Sequence, residues 1–266
     1  MKSWIVTIVI TYLFVSAAAV SQAQEADFNP LGREVPIERM EKQLRIQVEW
    51  IELSHKDYTA LMTEKEAGKA GIFKSSNDGP LRKKLEKMIA EDKANIIDTA
   101  MVIARSGQRA KVESVQEVIY ATEYEKGDSG SEEGKKGVSK TAVLPIAAAY
   151  ETRNVGTTME VDPVLGADER TVDLSLSPEI VYHIGQEEYG EYLVGEGEVI
   201  AKMPTFYAMK LTTQVTMIAG EYLFAGVQSP FDMESMKVDR ERKVMVFLKV
   251  DIIVVGLPLK KEAAKK

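Results

Sequence analysis

Cysteine is absent from the 266 residues. That excludes disulfides, thiolate metal sites, a cysteine nucleophile and a lipid-modified cysteine anchor. Histidine is nearly absent: only His55 and His183 occur, so a two-histidine metal site would need both, from a helix start and a strand, and each reads instead as a surface or strand-face residue. Ser54 beside His55 makes no triad, because nucleophile and base must converge in space with a third group orienting the base. Basic charge is also scarce, with 34 Lys and Arg against 41 Asp and Glu and a formal net charge of −7. Nucleic-acid binding needs a basic face with interleaved aromatics. The basic clusters here, Arg82, Lys83, Lys84 and Lys87 and the terminal KKEAAKK, read as a solvated helix face and a tail. No glycine-rich loop follows a strand and opens a helix, since Gly195-Glu196-Gly197 runs straight into Glu198-Val199-Ile200. The acidic cluster Glu187, Glu188, Glu191, Glu196 and Glu198 lacks the Asp-x-Asp-x-Asp-Gly regularity of a calcium loop. Nothing calls for a catalytic residue, a cofactor or a metal.

Long apolar runs are lacking too, except at the N-terminus. Lys2 is followed by Trp4 to Val15, interrupted only by Thr7 and Thr11, then by the small residues of SAAAVSQAQ. This charged, apolar, small-residue order is that of a secretory signal peptide over residues 1–23, with cleavage after Ala23 or Ala19. The run is shorter than the roughly 20 residues of a spanning helix. Residues 24–43, with Pro30, Gly32 and Pro36, read as a linker.

What is present is mostly strand. Leu44, Ile46, Val48 and Trp50 alternate with polar residues, the period of a half-buried strand. Ser54 can cap a helix from about His55 to Met62, Thr63 to Gly79 reads as a mobile loop, and Leu81, Leu85, Met88 and Ile89 mark a second helix. These elements make a small α/β portion over 44–93. Ala94–Ala104 and Arg109–Tyr124 read as two strands of a hairpin turning at Ser106-Gly107. Lys126–Lys140 has the composition of a flexible loop tip, flanked by strands barely apolar enough for a bilayer-spanning hairpin.

Further on, Val172, Leu174, Leu176, Ile180, Tyr182 and Ile184 share one face of a long strand. Gln186–Ile200 reads as a loop or loose hairpin, Met209–Met217 and Tyr222–Gln228 as strands, and Ser229–Arg242 as a polar loop. Val244–Val254 is nearly apolar throughout and belongs in the middle of a sheet, covered on both faces. The count is two helices and about eight strands with no internal repeat, an α+β protein that is mainly β. So many strands leave sheet edges uncovered, and such edges aggregate or pair with another chain.

The centre of this pattern is Tyr150–Pro163, YETRNVGTTMEVDP. Its β-branched residues make it a strand, Gly156 marks a bend or a close backbone approach, and Pro163 is placed to stop the ladder. Arg153, Val155, Gly156, Met159, Val161 and Pro163 stand at the spacing R-x-V-G-x-x-L-x-V-x-P. Upstream lie LRIQVEWIELS and SGQRAKVESVQEVIY, and downstream are Thr213, Val215, Gly220 and Gly226. In this order the segments resemble the secretin family, the ring-forming outer-membrane channels of bacterial type II and III secretion and pilus systems.

The resemblance runs from about Leu44 to Val254. It implies an antiparallel secretin-like β-sheet core over 94–256 followed by a basic tail, 257–266. It also implies export to the outer membrane or periplasm, a homo-oligomeric ring, other secretion-system proteins as partners, and no enzymatic activity. Gly107, Arg153, Asn154, Val155, Gly156, Pro163, Gly220 and Gly226 are the residues it marks as fold and assembly positions. A second reading stays open, a periplasmic scaffold or accessory protein with this fold and no channel. It rests on the short stretch ahead of the core, the absence of a P-L-L-G-x-I-P-like continuation after Gly226, and the polar 118–150 hairpin.

Overall fold

The computed structural model describes residues 40–67, 77–126, 145–194 and 197–255. Among them are eleven strands and two helices, arranged as β1 (Glu41–Ser54), α1 (His55–Ala67), α2 (Gly79–Ala90), β2 (Ala94–Arg105), β3 (Ala110–Lys126), β4 (Pro145–Leu165), β5 (Thr171–Val194), β6 (Gly197–Lys210), β7 (Thr213–Ile218), β8 (Tyr222–Gln228), β9 (Phe231–Asp232), β10 (Lys237–Val238) and β11 (Arg242–Val255). The architecture is α+β, mainly β and antiparallel, as expected. The expected signal peptide, the tip of the 126–140 loop and the basic tail lie outside the described residues.

Two sheets carry the fold. The first has the order β2-β1-β11-β8, and the second has the order β3-β4-β5-β6, with β7 continuing beside β5. The alternation in β1 and β11 explains their packing. Leu44, Ile46, Val48 and Trp50, with Val244, Val246, Leu248 and Val250, join Met159, Val161, Val172, Leu174 and Leu176 of the second sheet in one core. Ile51, Leu53, Met245 and Phe247 belong to a second core with Leu61, Leu81 and Leu85 of the helices. The first sheet is therefore the middle layer, covered on both faces, which is why β11 is apolar and buried at every position from Val244 to Leu248. One sheet also crosses the 93/94 boundary expected between two portions, because β1 pairs with both β2 and β11.

The helices are set by local chemistry and one buried ion pair. Ser54 Oγ accepts from the Asp57 amide at 3.0 Å, the expected cap. α1 then runs to Ala67, five residues beyond the expected end, because Thr63-Glu64-Lys65-Glu66-Ala67 is mostly strong helix formers. Lys84 of α2 pairs with Glu64. Arg82 does not stand on a solvated face: its Nε lies 2.6 Å from Glu49 Oε2 of β1, and both side chains are largely buried. Gln47 Nε2 donates to the other Glu49 oxygen at 2.7 Å.

Three other expectations are corrected. The β2–β3 hairpin does not form, because β2 stays in the first sheet while β3 enters the second. Ala104 and Val112 face the same core from opposite sheets, and the chain crosses between them at Ser106-Gly107. Pro163 does not stop the ladder. It pairs with Leu174 inside β4, and its carbonyl accepts from the Gly107 amide at 2.8 Å. A strand residue directs its N and C=O to the same side, so the missing N–H falls on the side away from β5 and costs no ladder bond. Met209–Met217 is split between β6 and β7 at Leu211-Thr212, while Gln186–Ile200 takes the hairpin alternative, as the outer part of a long β5–β6 hairpin.

Arg82→Ala leaves Glu49 as a buried unpaired carboxylate and is expected to cost about 3–5 kcal/mol. Equilibrium urea unfolding measures this, and a loss below about 1 kcal/mol would show the pair to be dispensable.

Candidate functional site

No catalytic constellation is assembled among the described residues, and none of them forms a group of three or more His, Asp or Glu suited to a metal ion. His55 opens α1, where its amide donates to the Glu241 carbonyl at 2.6 Å. His183 is on β5 with its ring 5.6 Å from Phe206. Glu187 and Glu188 lie on β5 opposite Met203 and Lys202. The side chains of Glu191, Glu196 and Glu198 fall outside the described residues.

The distinctive geometry is in the second sheet. β4 pairs with β5 only from Gly156–Val181 to Leu165–Val172. Beyond that point β4 continues with β3 alone, to Pro145–Lys126, and β5 continues with β6 alone, to Val194–Gly197. The four-stranded base thus splits into two long hairpins. They lean together through Tyr120 and Phe206, whose ring centroids are 5.8 Å apart. A cleft of about 470 Å³ lies between them, lined by Tyr120, Arg153, Glu187, Glu188 and Met203–Phe206. Burial, and then a bond to Glu151, pushes the Tyr120 hydroxyl above its usual pKa.

Gly156 sits at the split. Its φ is +125°, and a Cβ there would overlap the Ser114 carbonyl oxygen and lie 3.1 Å from Val115 Cα. Both conformation and space therefore demand glycine. Just below, Glu179 of β5 ties three strands on the exposed face, lying 3.2 Å from Arg153 of β4 and 3.7 Å from Lys210 of β6. Thr157 next to Gly156 bonds Asp98 of β2, joining the two sheets.

The other marked residues are spread through the fold. Asn154 and Val155 pair with Glu117 and Gln116 above the split. Gly107 (φ +74°) is the crossing from first sheet to second, held against Pro163. Gly220 is the crossing back, its amide donating to Val250 O at 2.6 Å. Gly226 pairs with Val246 inside β8. The structure brings Gly107 to Pro163 and places Arg153–Gly156 in one run, while Gly220 and Gly226 stand on other elements.

A small hairpin, β9–β10, replaces the expected polar loop after β8. It packs against the root of the β5–β6 hairpin through Phe231, whose ring is 5.2 Å from Tyr207. Reading by composition missed it because each strand has only two residues. β6 was also missed. Its signal was the alternation of Tyr207 and Met209, obscured by Pro204, a residue that edge strands tolerate.

Residues 87–228, more than half of the chain, match the family described as Secretin, bacterial type II and III secretion system protein. The chain belongs to the secretin family. No curated protein matches it. Among solved structures, it is similar to the secretin InvG of the Salmonella SPI-1 type III secretion injectisome, at 11% identity over 84% of this chain and 67% of that one, with a TM-score of 0.38. The type II secretion system secretin GspD of E. coli K12 is 13% identical over 80% and 48% of the two chains, with a TM-score of 0.35. For the V. cholerae type IV competence pilus secretin PilQ the figures are 12%, 80%, 57% and 0.33. The chain thus spans about half to two thirds of these secretins.

Replacing Gly156 by Ala forces β3 and β4 apart, whereas Gly107→Ala meets no atom within 4 Å and strains only the backbone. The expected cost at Gly107 is about 1–2 kcal/mol, with a clearly larger loss at Gly156, read as urea midpoints; the reverse order would refute the close-approach assignment. Glu179→Ala removes a partly exposed pair of contacts and should cost no more than about 1 kcal/mol in the same assay.

Proposed function

We propose that this secretin-family chain is a ring-forming protomer of an outer-membrane channel serving bacterial protein secretion or pilus passage. Transport is then a property of the assembled lumen and not of catalysis. Residues 1–23 direct export, and the partners are copies of the same chain together with other secretion-system proteins.

The observation that carries this reading is the pair of open edges on the second sheet. β3 and β6 each have a single neighbour, so one hydrogen-bonding side of each strand is unpaired within the described protomer. Unpaired edges of this length favour addition of another strand. The two are complementary in charge: β3 carries four glutamates against two lysines, and β6 two lysines against one glutamate. Pairing β3 of one copy with β6 of the next is a head-to-tail contact, which closes into a ring and leaves no edge. On this reading Gly107, Arg153, Asn154, Val155, Gly156, Pro163, Gly220 and Gly226 hold the fold and its assembly geometry.

One observation favours the second reading, a periplasmic scaffold or accessory protein without a channel. On the β3–β4 hairpin, exposed Ile119, Ile146 and Tyr150 are interspersed with exposed Glu117, Glu123, Glu125 and Glu151. A lipid-facing wall needs an unbroken apolar band.

The test is gel mobility of membrane fractions from cells expressing the full chain, in mild detergent and without boiling. A very large species in the outer membrane, lost on Gly156→Val, is the expected result. A single band of monomer size in the soluble periplasmic fraction overturns the channel and leaves the scaffold.

A further inference from the structure

The segment between β8 and β11, Ser229–Glu241, is fastened at both sides to different parts of the molecule. On the first-sheet side, Arg242 of β11 reaches Asp239 at 2.6 Å and Glu52 of β1 at 2.9 Å. Lys243 donates to Ser229 Oγ at 2.9 Å, and the Asp239 amide donates to Pro230 O at 2.8 Å, closing the base of the β9–β10 hairpin.

On the other side the described hydrogen bonds and ring contacts are to the β5–β6 hairpin. Phe231 stacks with Tyr207, and the Tyr207 hydroxyl donates to Ser229 O at 2.6 Å. Met236, held at φ +54°, places its Cε 3.4 Å from where a Cβ on Gly185 would stand. Tyr207 and Gly185 lie just past Val181, the last residue through which β5 pairs with β4.

At this height the β5–β6 hairpin has lost the ladder that fixed it to the base. The root rests on the main core through Met209, Tyr182 and Tyr207, and of the described hydrogen bonds and ring contacts those at Tyr207 are the ones that tie it back toward the first sheet. Beneath the segment lies a solvent-open pocket of about 290 Å³, lined by Glu52, Asn95, Ile97, Tyr182, Phe231 and Met233. An open pocket beside a strand root leaves the root space to tilt.

We propose that β9–β10 is a strap that sets the inclination of the β5–β6 hairpin relative to the sandwich. The strap clamps Tyr207 and Gly185 in the state described, and release of Phe231 lets the hairpin lean over the open pocket. The proposal rests on the secretin-protomer reading only in naming what the hairpin's angle controls, the position of one wall element of the ring. The strap itself is a property of the single chain.

Because the chain has no cysteine, two spin labels can be placed without background, at Lys202→Cys on exposed β6 and Lys87→Cys on exposed α2. Pulsed electron resonance on the purified full chain then reads the hairpin-to-helix distance. A narrow distribution is expected with the strap intact and one at least twice as broad with Phe231→Ala, while Lys237→Ala, an exposed strap residue, changes nothing. Amide protection in β11 reports that the sandwich is folded. An unchanged width in folded Phe231→Ala overturns the strap. If that variant loses β11 protection, Tyr207→Phe decides: it keeps the ring stacking and removes the bond to Ser229, and an unchanged width there overturns the proposal as well. Failure of the ring would show as a missing large species on the gel and leaves this distance readout intact.

Discussion

The apolar seam between β1 and β11 on one side and the lower halves of β4 and β5 on the other is what the rest of the molecule hangs from. Trp50, Val246 and Leu248 meet Met159, Val172 and Leu174 there with no solvent exposure beyond a few per cent. Burial of side chains of this kind contributes about 1.5–3 kcal/mol each. The four-stranded base can end at Gly156 and send two long hairpins past it because their roots are anchored in this seam. The helices add a second apolar contact on the far face, and the buried Arg82–Glu49 pair fixes where α2 sits upon it.

Much of this was readable because single strands announce themselves through their side-chain period. The alternation in Leu44–Trp50, the one-faced pattern of Val172–Ile184 and the apolar Val244–Val254 all point to the observed strands and to the covered position of β11. Ser54 and the Asp78-Gly79-Pro80 run point to the two helix starts. The Arg153–Pro163 spacing with its flanking segments pointed to the family. What stayed hidden was the pairing between elements. The Ser106-Gly107 turn looks like a hairpin turn in sequence, and only the packing of Ala104 and Val112 into one core from opposite sheets shows it to be a crossing. Pro163 looked like a terminator because its missing N–H is visible in sequence, whereas the side of the strand on which it falls is not.

The site was legible in the same partial way. Gly156 was marked as a bend or a close approach, and the approach is to the backbone at Ser114 and Val115. That the ladder between β4 and β5 stops at this residue depends on where partner strands end, which no local pattern records. Glu179 carries no mark in sequence beyond standing on the face opposite Val172–Ile184, yet it is the charge shared by Arg153 and Lys210 just below the split.

The two crossings at Gly107 and Gly220 also have a bearing on how the chain acquires its shape. Every strand of the second sheet, from Ala110 to Ile218, lies between them in sequence, so that sheet is nested inside the first. Its strands meet mostly through neighbouring hairpins, whereas β1 must wait for β11, some two hundred residues further on. Loop closure over such a distance is slow. The nested sheet can therefore form while β1 still lacks its partner, and β11, the last of the described strands in sequence, is the one that completes the middle layer.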